Sequence, residues 1–213
     1  MTDRPLDLTG LYLGDRVVVR YRVDDRHLTD VTGLLRDADD PIVVEGTGPK
    51  DRGAWVEVRR SAVTSVRLLS YVTVRNSQIR SLAESLARAS AVHTELHAGW
   101  LLRSESTAPL ENSALPIGVD ARADAESLRA IADWYHQRDL RPLLALPDRL
   151  IPDAHVSGSR VGPPMHALVL PDDPSAAVLV DATDVARGSA LRADGFRLHH
   201  VRHHVHLDTY GDA

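Results

Sequence analysis

The sequence predicts an α+β fold in two parts, a small β-barrel followed by a mixed α/β lobe whose sheet is mainly antiparallel. About five short strand patterns fill the first ~60 residues, and helical patterns then alternate with apolar runs. At 213 residues, the chain is long enough for one large or two small domains. We therefore expect a first domain at residues 8–70 and a second at residues 73–210.

The first part is predicted to be a closed barrel of the SH3-like type. Residues 16–23 are rich in β-branched side chains, and residues 28–35 alternate apolar and polar positions, with Gly33 indicating a bulge or sharp bend. Two further strand patterns follow, at residues 42–45 and 54–58, and residues 60–66 are predicted to be a short turn and a final strand. Short strands joined by tight turns are typical of such barrels.

Three amphipathic patterns predict helices in the second part. The first covers residues 75–90, is capped by Asn76 or Ser77, and has one apolar face: Ile79, Leu82, Leu86 and Ala89. The second is capped by Asp124 and has apolar residues spaced for burial: Leu128, Ile131, Ala132 and Tyr135. The third runs from Asp184 through Leu191, with Gly195 placed to end it.

Short apolar runs predict the strands of the second part. Residues 100–102 and 114–117 flank a polar, proline-containing turn, and further strands are predicted at the following positions: 143–146, 166–170, 177–180 and 196–207. The strands at 166–170 and 177–180 are close enough in sequence to form a hairpin. Residues 147–164 contain several prolines and glycines and are predicted to be an exposed loop.

The composition excludes several classes of protein. The formal net charge is −5 and is spread evenly, so nucleic acid is not an expected partner. Without cysteine there are no disulfides or thiolate metal sites. No apolar run approaches the ~20 residues of a membrane helix, and the N-terminus lacks a secretion signal. We expect a cytoplasmic protein without membrane contact.

Candidate ligand-binding residues lie in the stretch 99–116: Trp100, Arg103, Asn112 and Ser113. Asn112 and Ser113 would bind an amine or carboxylate at the end of a strand, or else satisfy local backbone groups. Trp100 is expected in the core rather than as a cofactor platform. Arg103 is expected to pair with Glu111 in an exposed ion pair worth less than ~1 kcal/mol.

The histidines near the end of the chain are the most unusual local pattern. In a strand, three of them share one face with Arg202: His200, His204 and His206. Histidines at i and i+2 can ligate zinc, but a third ligand is needed and Arg202 repels a cation. The alternatives are a solvated edge strand and a group that changes charge near pH 6.

Several stretches of the chain resemble one family. They are residues 13–22, 28–33, 75–84, 99–103, 112–116, 133–135 and 191–196. The resemblance is to actinobacterial N-acetyltransferases of the GNAT superfamily that carry an N-terminal SH3-like barrel, some described as N-acetylglutamate synthases and others as histone acetyltransferases. It implies a GNAT-like lobe, acetyl-CoA as cofactor, and acetyl transfer to a small amine or a lysine.

The resemblance also implies catalytic groups. In this family a base takes the proton of the amine and a tyrosine often protonates the leaving thiolate. By residue type, the candidate bases are Glu111 and Glu105, and the candidate acids are Tyr135 and Tyr210.

The sequence departs from the family in three places. Members continue into a second lobe that holds acetyl-CoA, and this sequence stops before it. The nearest pyrophosphate motif, at residues 160–164, contains Pro163 and Pro164, which lack the N–H groups that would bind phosphate. Leu110 and Glu111 stand where the family usually has a basic residue.

These observations favour a shortened acetyltransferase-like protein that acts as a binding or regulatory module and is non-catalytic alone or dependent on a partner. The expected partner is a second acetyltransferase lobe or another protein, and a homodimer is an alternative. Another hypothesis is an active N-acetyltransferase for a small amine such as an amino acid, with an atypical cofactor loop at residues 157–164. The third is an interaction protein whose barrel docks a peptide or nucleic acid.

Overall fold

The computed structural model describes residues 8, 10–24, 26–90, 93–151 and 156–208. The first part of the chain forms one antiparallel sheet of five strands: β1 (Arg16–Arg22), β2 (Leu28–Asp37), β3 (Ile42–Gly46), β4 (Trp55–Val58) and β5 (Val63–Leu69). Their order, β4-β3-β2-β1-β5, gives a half-barrel. The predicted strands are confirmed, whereas closure into an SH3-like barrel stays a prediction.

Alternation of apolar residues builds the core of the half-barrel. The buried residues of its cluster are Val17, Val19, Val31, Leu35, Ile42, Val44 and Val58. The bulge predicted at Gly33 lies elsewhere, since the β2–β3 register shifts between Leu35 and Asp37. Gly33 is instead a point of close approach, because a Cβ there would overlap the carbonyl oxygen of Glu45.

The three predicted helices are present: α1 (Asn76–Ser90), α2 (Ala125–His136) and α3 (Val185–Ala193). Asp124 and Asp184 cap α2 and α3 as predicted, because each carboxylate accepts the N–H three residues on. The predicted cap of α1 is wrong. That helix already includes Asn76, and Gln78 Oε1 accepts the N–H of Arg75 at its start (2.8 Å).

Eight strands accompany the helices: β6 (His93–His97), β7 (Trp100–Ser104), β8 (Leu115–Pro116), β9 (Leu143–Pro147), β10 (Gly158–Arg160), β11 (Met165–Leu170), β12 (Asp173–Asp181) and β13 (Arg197–Leu207). They form a sheet β6-β7-β8 and a sheet β10-β13-β11-β12 in which β9 also pairs with β13. A parallel bridge between Ala114 and Leu144 links the two. The named strand pairs are antiparallel, which confirms the α+β class with a mainly antiparallel sheet.

The helix α1 buries a different face from the one predicted by its apolar residues, whereas α2 buries the predicted face. The core face of α2 is as predicted, with Trp134 in addition. In α1 only Ile79 of the predicted face is buried, and the others that face the core are Ala83 and Ala87. These alanines pack on Leu101 and Leu115, so a close approach of helix to strand decides the face.

Contacts divide the chain into two compact units. One takes the chain up to Thr73 with Ala182–Leu198, and the other takes Val74–Asp181 with the chain from His199 onward. In the first unit, Arg192 forms a two-bond ion pair with Asp15 (2.8 and 3.1 Å). The boundaries predicted at 8–70 and 73–210 stay a prediction.

Within the described ranges, no helix has the length and apolarity to cross a membrane.

Candidate functional site

The candidate site lies where β7 ends in the second unit. All five residues of β7 are buried, as expected for a short apolar strand covered on both faces. The chain then turns at Glu105, whose φ of 67° is in the left-handed region, and passes through a 3-10 turn, Pro109–Glu111, before β8. The sequence thus places a polar loop directly beyond a buried strand.

Asn112 fixes the shape of this loop. Its Oδ1 accepts the N–H of Ser106 (2.9 Å), and its Nδ2 donates to the Ser106 carbonyl (3.0 Å). The side-chain amide thus forms hydrogen bonds to both the N–H and the carbonyl of one residue, as a paired residue does in an antiparallel sheet, and this holds the loop closed. The structure therefore places Asn112 in a local backbone contact.

Ser113 and Arg103 bind each other in the interior. Arg103 donates from Nη2 to Ser113 Oγ (2.6 Å) and from Nε to the Ser113 carbonyl (3.2 Å). Ser113 Oγ in turn donates to the carbonyl of Leu110 (2.8 Å). Arg103 lies 3.9 Å from Glu111, but its side chain is only 1% exposed, so the expectation of an exposed pair is wrong. Burial lowers the pKa of Arg103, and the attraction of Glu111 opposes this.

Trp100 and Tyr135 both belong to the core. Trp100 Nε1 donates to the Arg122 carbonyl (3.0 Å). The Tyr135 hydroxyl accepts the N–H of Arg103 (3.3 Å) and donates to the Arg103 carbonyl (3.1 Å). Burial raises the pKa of Tyr135 well above its usual value, so its proton stays in this internal bond at neutral pH. Tyr210 lies outside the described residues.

A groove of ≈490 Å³ opens beside the loop. It is lined by Ser104, Glu105, Ser106, Thr107, Asn112, Arg138 and Leu140. The Ser104 hydroxyl is buried and has no hydrogen-bond partner. Arg138 stacks on Trp134, with its guanidinium carbon 3.7 Å from the ring centre. The groove therefore offers both signs of charge to a polar ligand, from Glu105 and Arg138.

The histidines lie in a central strand. β13 pairs with β9, β10 and β11, so the solvated edge strand considered above is wrong. His200 and His204 are buried, while His206 is half-buried with Nδ1 3.3 Å from the Pro142 carbonyl. Among the residues that the structure describes, no three His, Asp or Glu side chains converge as metal ligands. Burial lowers the pKa of His200 and of His204 to about 3, so both are neutral.

Comparison with known proteins identifies the family. Residues 76–188, more than half of the chain, match the family model described as "Probable histone acetyltransferase Rv0428c C-terminal". The chain belongs to this family.

The comparisons also find a curated relative of this chain. The chain is 38% identical over 154 residues to the Mycobacterium tuberculosis protein named "Probable histone acetyltransferase Rv0428c". The match covers 70% of this chain and 49% of the relative, so the chain spans about half of the relative's length. No solved structure matches.

The segment that comes nearest to a pyrophosphate motif joins two strands of the sheet. Residues 161–164 lead from β10 to β11, both of which pair with β13. The Val161 N–H donates to the His204 carbonyl (2.9 Å), and Gly162 has a φ of 66°. Residue 165 begins a strand rather than a helix.

Sequence reasoning missed Arg202 and Ser104. Arg202 is 3% exposed, and its Nε has no hydrogen-bond partner. The sequence pattern alone presents Arg202 only as a cation that repels metals. A signal was present, because an arginine that alternates with histidines in a twelve-residue strand pattern must face an interior when that strand is central.

Proposed function

We propose that the chain is a ligand-binding module of an acetyltransferase-family protein and that acetyl transfer depends on a partner lobe that supplies acetyl-CoA. The family match supports the acetyltransferase part of this proposal. The groove at the end of β7 supports ligand binding, and so do the Ser104 hydroxyl and Glu111 Oε2, which have no hydrogen-bond partner.

The observation that carries the proposal is the backbone of residues 161–164. A pyrophosphate cradle needs consecutive free N–H groups at the start of a helix. Here the N–H of Val161 is used within the sheet, Pro163 and Pro164 have none, and a strand follows. The interior position of the Tyr135 hydroxyl supports the same conclusion, since it cannot reach a leaving thiolate from the core.

A second candidate function is that of an active N-acetyltransferase. The printed name of the Mycobacterium tuberculosis relative favours it. If that name applies to this chain, the acceptor would be a lysine amine, and a carboxylate in the groove, that of Glu105, would be the nearest base by type.

Titration calorimetry with acetyl-CoA, and with desulfo-CoA as control, separates the two functions. We expect no saturable heat from either compound in protein shown to be folded by circular dichroism. Saturable micromolar binding that Arg160→Ala abolishes and the exposed Arg129→Ala retains would contradict the proposal. It would favour an enzyme that holds its cofactor at residues 158–164.

A further inference from the structure

Arg202 is a cation buried in the interior of the second unit. Its side chain is 3% exposed in the central strand β13, and its Nε has no hydrogen-bond partner. Among the described residues it forms no ion pair. A buried charge that lacks both a partner and water is costly, so such groups are normally paired. The position of Arg202 is what one expects of a binding site for an anion.

The groups around Arg202 form what we call the basic cluster: Arg103, Glu111, Arg202 and His204. Arg103 and Glu111 are close enough to Arg202 to change its pKa, the first by repulsion and the second by attraction. His204 follows Arg202 by two residues on the same face of β13. Both ring nitrogens of His204 are buried without a partner. Glu111 Oε2 is also buried without a hydrogen-bond partner, so three members have unused hydrogen-bonding capacity.

The charge of the basic cluster selects the ligand. Burial lowers the pKa of Arg202 to about 9, which leaves it charged at neutral pH, and His204 is neutral. Two arginines and one glutamate leave one positive charge. A carboxylate would neutralise this charge, whereas a phosphate dianion would exceed it. A guanidinium also presents two parallel N–H groups that match a carboxylate.

We propose that the basic cluster binds the carboxylate group of a small ligand, with Arg202 as its main partner and His204 donating a ring N–H. Glu111, whose side chain is 24% exposed, is the member through which a ligand enters. The inference rests on the proposed function in that it names the chemical class of ligand that the module takes. Its test uses no acetyl-CoA, so the two proposals fail separately.

Titration of the full chain with sodium propionate, at constant ionic strength, tests the site. Arginine Nε–H and histidine ring signals in NMR spectra report on the cluster directly. We expect a saturable shift with a dissociation constant of about 1–10 mM, as for one charge-assisted pair, and weaker binding of inorganic phosphate. Absence of a saturable shift in the wild-type protein overturns the proposal without any variant.

Two variants with matched controls sharpen the test. Arg202→Met should weaken propionate binding more than tenfold without lowering the melting temperature, because it removes an unpaired buried charge. Arg129→Met, the same change at an exposed site, should bind normally. Glu111→Gln should tighten binding by about 3- to 10-fold, because the ligand carboxylate then no longer competes with Glu111 for the positive charge of the cluster. Glu105→Gln is the control and should leave binding unchanged. Unchanged binding in Arg202→Met would overturn the proposal.

Discussion

Tyr135 holds the end of β7 through both backbone groups of Arg103. That contact places the Arg103 side chain on the face of β7 opposite Leu102, where it reaches Ser113. Tyr135, which the family resemblance offers by residue type as one of two candidate acids, therefore supports the backbone of β7 in this structure.

Replacing Tyr135 by Phe tests this support. The change leaves the buried N–H and carbonyl of Arg103 without partners, so we expect the free energy of unfolding to fall by about 1–3 kcal/mol. Tyr21→Phe, at a half-buried position whose hydroxyl has no hydrogen bond to the part of the chain that the structure describes, is the control and should change little. Urea denaturation measures both. Equal stability of the two variants would show that the bonds of Tyr135 are unimportant.

Side-chain environments were only partly predictable from the sequence. The caps Asp124 and Asp184 follow from local rules, because a cap bonds within three residues. The burial of Arg103 and Arg202 depends on β9 and β13, which are distant in sequence. Local composition makes an arginine beside a polar turn look exposed, and only the sheet order removes it from solvent.

The packing of α1 depends on two small residues, Ala83 and Ala87. Ala87→Leu would force the helix away from the strands beneath it, so we expect a loss of about 1–3 kcal/mol in the free energy of unfolding. Ala89→Leu adds the same atoms at an exposed position of the same helix and should stay within about 0.5 kcal/mol. Thermal or urea denaturation compares them. A larger effect at Ala89 would mean that the face predicted from the sequence is the correct one.

β13 should make the stability of the chain depend on pH. Repulsion by His199, Arg202 and Arg149 adds to burial in keeping His200 neutral, and repulsion by Arg202, Arg103 and His203 does so for His204. The unfolded histidines take up protons near pH 6.5, whereas the folded ones do so near pH 3. Stability is therefore lost as the pH falls below 6.5, at about 1.4 kcal/mol per pH unit for each histidine.

Urea denaturation between pH 7.5 and pH 5 measures this slope. His204→Phe should remove the share of one histidine, about 1.4 kcal/mol per pH unit, while the exposed His97→Gln should leave the slope unchanged. Comparing variants cancels the contribution of Asp15, whose pKa burial raises. A wild-type stability that is constant over this range would contradict the burial of these histidines in neutral form.

Strands with apolar patterns were predictable, and polar ones were not. β9, β11 and β13 follow from runs of apolar or alternating residues. β6 and β10 were missed because their residues are mostly polar, and each forms only because a neighbouring strand offers backbone partners. Pairing of this kind depends on tertiary structure more than on local propensity.

At the scale of the whole molecule, the segment that matches the family and the candidate binding groups lie largely in the second unit. It belongs to an acetyltransferase family, and its polar groups converge at the end of β7 and on β13. The segment nearest to a pyrophosphate motif is part of the sheet. We therefore predict that a ligand binds at the end of β7 and on β13, and that acetyl-CoA does not bind at residues 158–164.

Peptide-resolved hydrogen exchange of the full chain tests this directly, with acetyl-CoA and with propionate added separately. We predict that propionate slows exchange in residues 100–113 and 199–207, whereas acetyl-CoA changes exchange nowhere in residues 158–164. Slower exchange in residues 158–164 with acetyl-CoA would contradict the account and indicate that the chain holds the cofactor itself.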